Sequence, residues 1–276
     1  MGVLNVTPDS FSDGGGLFLR DAPDLSLIEA TAQRMVAAGA AIIDVGGEST
    51  RPGAAAVSVD EELRRVMPVV ERLLGLDTIV SVDTCKPAVA RAALAAGCHL
   101  INDVTGLAEP AMLDAVADSS AAVCIMHMQG EPRTMQSDPS YENVVSEVAA
   151  FFVERVMACR NAGIDMARIC IDPGFGFGKT MAHNLELLRN LESVRMAELP
   201  LVVGLSRKSM LGAITGRHAH ERMAASVAAA LLAVQNGANI VRVHDVAPTV
   251  DALKVLQAFA PVGCMESWST AGVSGS

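Results

Sequence analysis

Eight short runs rich in Val and Ile recur along the chain, over residues 3–6, 41–45, 78–82, 99–102, 122–126, 168–171, 201–203 and 239–243. The segments between them repeat their apolar residues about every 3.6 positions, the period of a helix with one face against a core. Ile28, Ala32, Met35 and Val36 make one such face, and Leu63, Val66, Val70, Leu73 and Leu74 another. Ala38-Gly39-Ala40, Ala96-Gly97-Cys98 and Asn236-Gly237-Ala238 stand just before strand runs. A helix needs a Gly there, past its last turn, to fold back. The β/α alternation predicts a closed (βα)8 barrel, with an open doubly wound sheet as the alternative.

Such barrels use about 250 residues as one unit, so residues 1–260 are expected to form a single catalytic domain. Residues 267–276 are rich in Ser and Gly, and the tail from 261 to 276 is expected to be disordered. Hydrophobic residues are 51% of the chain, yet they fall in short runs, so no membrane partner is expected. A formal charge of −10 argues against a nucleic-acid partner, and an anionic ligand would need a local cluster of bases. The six cysteines, at 85, 98, 124, 159, 170 and 264, form no CxxC pair and no Cys/His finger, which points to reduced thiols. With no signal-peptide pattern at the start, a cytoplasmic location is expected.

Loop content is asymmetric. Connections after the helices are short, whereas those after the strands carry the unusual residues: 5–16, 46–58, 83–87, 102–103, 126–139, 172–180, 206–212 and 244–245. In a barrel these share one rim. Asp83, Asn102 and Asp172 end strand runs there, and a carboxylate at the end of a buried strand must find donors or shift its pKa. Asp83 and Asn102 could each instead cap the following helix. Together the three offer acceptors and one amide donor to a flat nitrogen heterocycle.

Ser206-Arg207-Lys208-Ser209 and Arg242-Val243-His244 place bases on the same rim. Arg242 and His244 are two apart, so in a strand they face the same way. Barrels often hold phosphate near the loops after strands seven and eight, so these residues suggest an anion clamp. Asn5, ending the first strand, lies beside the eighth once the barrel closes. The glycines at 174, 176 and 178 allow either a phosphate cradle or a turn with positive φ, and their spacing does not match GxxxxGK[ST]. Loops 5–16 and 46–58 have the composition of mobile lids. His127, between Met126 and Met128, reads as a lining or packing residue, with no second ligand at metal spacing. No nucleophile with a partner base stands out.

These motifs, in order, resemble the dihydropteroate synthase family of pterin-binding barrels. The match runs from Met1 to about Ala260 on Gly2 to Gly15, Gly46 to Gly53, Asn102-Asp103-Val104, Asp172 to Lys179, Ser206 to Ser209 and Arg242-Val243-His244. The resemblance implies a transferase that condenses 6-hydroxymethyl-7,8-dihydropterin diphosphate with 4-aminobenzoate, with Mg2+ present, in a homodimer. It implies that Asp83, Asn102, Asp172 and Lys208 hold the pterin. Arg242 and His244 would hold the diphosphate, with Asn5 helping to place the metal. Thr50, Arg51, Pro52, Phe177 and Ser209 would border the aminobenzoate. Asp172, Lys208, Arg242 and His244 would be the catalytic set. Two rival readings are a methyltetrahydrofolate:corrinoid methyltransferase, which handles no diphosphate, and a non-catalytic scaffold that keeps the barrel.

Overall fold

The computed structural model describes residues 1–7, 18–19, 22–49, 56–131, 134–196 and 199–259. Its barrel strands are β1 (Gly2–Asn5), β2 (Ile42–Gly46), β3 (Ile79–Asp83), β4 (Leu100–Asp103), β5 (Ala122–Met126), β6 (Ile169–Asp172), β7 (Val202–Val203) and β8 (Ile240–Val241). A two-stranded antiparallel ribbon pairs Phe18–Leu19 with Ala22–Pro23 outside the barrel. The helices are α1 (Leu25–Ala37), α2 (Val59–Leu73), α3 (Pro87–Ala96), α4 (Pro110–Ala117), α5 (Val144–Asn161), α6 (Met181–Arg189), α7 (Ser209–Thr215), α8 (Met223–Gln235) and α9 (Val246–Phe259).

Strands β1 to β6 form one parallel sheet in sequence order, and β7 pairs with β8 separately. Two parallel bridges join the pieces, Ile171 to Leu201 and Gly2 to Val243. At the first, the Ile171 N–H donates to the Pro200 carbonyl at 3.0 Å. At the second, the Val3 N–H donates to Val243 and the Val243 N–H to Met1, both at 2.9 Å. The ring of eight strands therefore closes, and the open-sheet alternative falls, because an open sheet would leave β1 and β6 as edges.

Strand alternation sorts the core into two bodies. Ile43, Val45, Val80, Val82, Ile101, Val123, Ile125 and Ile171 point outward into the large cluster shared with the helices. Ile42, Leu100, Cys124, Cys170 and Val202, of opposite parity, form a small separate cluster, with Met1, Ala122 and Ile240 packed against it. That second cluster is the floor of the barrel interior. Full burial of one large aliphatic side chain contributes about 1.5–3 kcal/mol, so the outer shell carries most of the stability. The interior above the floor is thereby free to hold polar groups.

Local chemistry sets the helix ends. Asp24, Ser58, Asn143 and Thr180 cap α1, α2, α5 and α6 by accepting first-turn N–H groups. Asp60, Glu61 and Glu62 add negative charge at the positive end of α2. The expected turn-back glycines Gly39, Gly97 and Gly237 all sit at φ 100°.

Candidate active site

The polar residues expected on one rim are brought there by register. Asn5 pairs with Gly46, Gly46 with Asp83, and Asp83 with Asn102 across β1 to β4. Neither Asp83 nor Asn102 caps a helix, because the residues preceding α3 and α4 are Lys86 and Glu109, each followed by a Pro that starts the helix. Both side chains are left for the interior.

Arg242, just past β8, reaches across that interior. Its Nε donates to Asp44 Oδ2 at 2.6 Å and its Nη2 to Asp83 Oδ2 at 2.7 Å. Asp44 also accepts from Asn102 Nδ2 at 3.1 Å and from the Ser81 hydroxyl at 2.5 Å, and it is fully buried. Sequence reasoning missed Asp44, which lies inside the run 41–45 rather than at its end. The available signal was a lone carboxylate in an otherwise apolar strand, a residue type almost never buried unpaired. Burial works against the Arg242 charge, but Asp44 and Asp83 outweigh it and hold its pKa above the ordinary value. Burial pushes Asp83 up to about 7 despite the nearby guanidinium.

Asp172 ends β6 and feeds a backbone loop folded on itself. Its Oδ1 accepts the Gly174 N–H at 2.7 Å, while the Gly176 N–H goes to Asn184 Oδ1 at 2.7 Å and the Phe177 N–H to the Gly174 carbonyl at 3.0 Å. With the Gly174 and Gly176 N–H groups committed inside the loop and all three glycines at positive φ, the segment reads as a tight turn. Gly174 has φ 67°, and a Cβ on it would lie 1.9 Å from the His127 carbonyl oxygen, so only Gly fits this approach. Lys179 closes the loop from beneath. Its buried Nζ meets His127 Nδ1 at 2.9 Å and donates to the carbonyls of Gly174 at 3.0 Å and Phe177 at 3.1 Å. Burial, and then Lys179 itself, press the His127 pKa down to about 3, so His127 is neutral and its Nδ1 accepts.

Lys208 approaches the loop from the other side. Its ammonium donates to the Phe175 carbonyl and stands 4.7 Å from the Phe177 ring centroid, a cation–π contact. Burial lowers its pKa to about 8, with Asp172 opposing the shift. Asp172 in turn sits above the usual carboxylate range through burial, with Lys208 opposing.

The β7 and β8 ends are cross-tied. His244 lies 3.0 Å from the Ser206 hydroxyl through Nδ1. Arg207 pairs with Asp245, Nη2 to Oδ1 at 2.6 Å, and is held at φ 58° with its N–H on Ser226. Arg207 is thus a structural tie, and Lys208 is the base presented inward. Ser209 is exposed at the start of α7. Thr50, Arg51 and Pro52, with the expected lid segments 8–16 and 50–55, lie outside the described residues.

Acceptors and an amide donor converge with Lys208 and Arg242 in one barrel mouth, and the whole of it falls within the part of the chain, residues 1–244, that matches the model of the pterin binding enzymes. The chain belongs to that family. This pterin-binding chain is 51% identical to the dihydropteroate synthase of Escherichia coli (strain K12), over 94% of this chain and 90% of that one. The Yersinia pestis dihydropteroate synthase, solved with a sulfonamide drug complex, is 50% identical with a TM-score of 0.89, over 94% of this chain and 92% of that one. The Burkholderia cenocepacia dihydropteroate synthase, solved with 7,8-dihydropteroate, is 50% identical with a TM-score of 0.84, over 94% of this chain and 90% of that one.

Among the described residues, no cluster of three or more His, Cys, Asp or Glu could hold a metal ion. That composition still fits Mg2+, which keeps several waters and binds through one or two protein groups plus substrate phosphates. Asn5, half-buried with its Oδ1 facing Gly46, is a hard oxygen donor of the required kind.

Proposed function

We infer that the chain is a dihydropteroate synthase, condensing 6-hydroxymethyl-7,8-dihydropterin diphosphate with 4-aminobenzoate to give 7,8-dihydropteroate and pyrophosphate in folate biosynthesis. The observation that carries the reading is the joint placement of Asp83, Asn102, Asp172, Lys208 and Arg242 in one barrel mouth, in a chain half identical to enzymes of that name. Methyl transfer from a folate has no use for a diphosphate clamp, and a scaffold has no use for buried charge at the rim.

The pterin ring is proposed to lie between Asp83, Asn102 and Asp172, its N–H groups donating to the carboxylates. Lys208 holds the ring's oxygen side, and its charge opposes the burial that raises the Asp172 pKa. Arg242 and His244 face the diphosphate, and Asn5 would hold Mg2+ together with the diphosphate oxygens. Bound there, Mg2+ would neutralise negative charge gathering on the departing pyrophosphate. Arg242 supplies fixed positive charge to the same oxygens, which stabilises the leaving group. The methylene carbon left behind is a cation delocalised into the ring, and the Asp172 carboxylate supports it. The amine of 4-aminobenzoate is neutral at pH 7 and needs no base, which accounts for the lack of a paired nucleophile and base. Phe177 and Ser209, with Thr50, Arg51 and Pro52, are proposed to border the amine.

A homodimer is proposed through the α7 to α9 side. Helix α8 is apolar on all faces, and Met223, Leu232, Val255 and Phe259 are left exposed there. No helix among the described residues is long and apolar enough to cross a membrane. A cytoplasmic location is proposed from the free thiols Cys85, Cys98, Cys124, Cys159 and Cys170.

The reading is tested by incubating purified protein with both substrates and Mg2+. Dihydropteroate and pyrophosphate should appear in equal amounts, dependent on each substrate. No product over a range of pH and Mg2+ would sink it.

A further inference from the structure

Arg242 is proposed to serve the diphosphate, and Asp83 and Asn102 the pterin. Asp44 touches residues of both groups. Its carboxylate lies within β2 and takes hydrogen bonds from three side chains: Ser81 on β3, Asn102 on β4 and Arg242 just past β8. A carboxylate has about four lone-pair sites, so most of its capacity is filled from within the protein.

The two carboxylates on Arg242 are unequal. Asp44 has no exposed surface, whereas the Asp83 side chain is 10% exposed and the Arg242 side chain 22%. A buried carboxylate propped by Ser81 and Asn102 cannot be reached by a ligand entering the mouth. Asp83 can. The Nε contact to Asp44 is therefore the fixed one, and the Nη2 contact to Asp83 the exchangeable one.

We propose that Asp44 is a positioning residue, the fixed counter-ion on which the Arg242 guanidinium is mounted, and that it couples the two halves of the substrate. When pterin N–H groups take over Asp83, Nη2 is released and turns to the diphosphate while Nε stays on Asp44. Arrival of the ring thereby readies the clamp. Asn102, bonded to Asp44 through Nδ2, reports the ring to the same carboxylate. This proposal rests on the substrate reading above.

The test uses Asp44→Asn, which keeps the shape and removes the charge. Kinetic constants for both substrates are measured, together with the Kd of inorganic pyrophosphate in Mg2+ by calorimetry. Each is repeated in an Arg242→Lys background, since residues that act as one unit give non-additive effects. The KM for the pterin diphosphate and the pyrophosphate Kd should rise about tenfold, the KM for 4-aminobenzoate should change less than about twofold, and Asp44→Asn should add little in the Arg242→Lys background. An unchanged pyrophosphate Kd, a uniform loss across both substrates, or fully additive effects would overturn the proposal. Ser81→Ala, which removes one prop and keeps the charge, serves if Asp44→Asn does not fold. It should raise the pyrophosphate Kd about two- to fivefold, and no change there would equally overturn the proposal. Failure of the wild-type protein to turn over or to bind pyrophosphate would instead fault the substrate reading.

Discussion

The Lys179 ammonium lies 2.9 Å from the neutral His127 ring, and the pair locks the loop after β6 against the end of β5. Lys179 is buried, with its pKa brought down to about 7 by burial and by repulsion from Lys208. Its three close partners are two loop carbonyls and the imidazole, and at 2% exposure the side chain is shut off from bulk solvent.

Lys179→Met should therefore destabilise the protein while touching no substrate. Each buried acceptor left unsatisfied costs about 1–3 kcal/mol, and for a domain of this size about 1 kcal/mol shifts Tm by roughly 2–4 °C. A fall in Tm of at least about 5 °C is expected by calorimetry, and an unchanged Tm would remove the strut from the account.

Arg242→Ala should abolish the clamp. Removing one donor aimed at developing negative charge costs about 10²- to 10³-fold in kcat, and Arg242 is a full charge, so the loss in kcat/KM should reach at least that range. Continuous pyrophosphate release measures it. Wild-type rates in this variant would contradict the assignment of Arg242 to the diphosphate.

The pH dependence of kcat/KM for the pterin substrate reports the free enzyme. Asp83, raised to about 7, loses its carboxylate charge below that value, and Lys208, lowered to about 8, loses its ammonium charge above its own. The active pairing is Asp83 ionised with Lys208 protonated, so kcat/KM should peak between the two and fall on both sides. Lys208→Arg should extend the alkaline limb alone, because a guanidinium does not titrate in that range. A profile whose alkaline limb is unmoved in Lys208→Arg would take Lys208 out of it.

Asp172→Asn keeps the acceptor for Gly174 N–H and removes the carboxylate proposed to support the cationic methylene carbon. Its kcat should fall by about 10²-fold or more, with a smaller change in the 4-aminobenzoate KM. Comparable losses in kcat and in binding of both substrates would instead mean a collapsed loop.

Much of this was legible because strands buried on both faces read as unbroken Val and Ile runs. The observed ends differ by at most one residue, or by two at the end of β8. Gly46, Asp83, Asp103 and Asp172 read as loop by composition, yet they still pair in the ladder. The rim residues were legible because a barrel puts every strand's C-terminal end on one side. Asp44 was not, since its meaning lies in Arg242, 198 residues away in sequence and adjacent only after closure. Lys179 is hidden in the sequence for a similar reason. Next to three glycines it looks like part of a phosphate motif, and only the folded loop shows its ammonium turned inward onto carbonyls.

The central claim is that the site works by stabilising a leaving group, with bond breaking ahead of attack by the amine. It is tested most directly with pterin diphosphate carrying heavy oxygen in the bridge between the methylene carbon and the first phosphorus. The labelled substrate is incubated with enzyme and Mg2+ in the absence of 4-aminobenzoate, and the position of the label is read by phosphorus NMR. Reversible ionisation should move the label from the bridge into the non-bridging oxygens. A label that stays in the bridge, together with turnover that rises in step with the nucleophilicity of substituted anilines, would contradict the account.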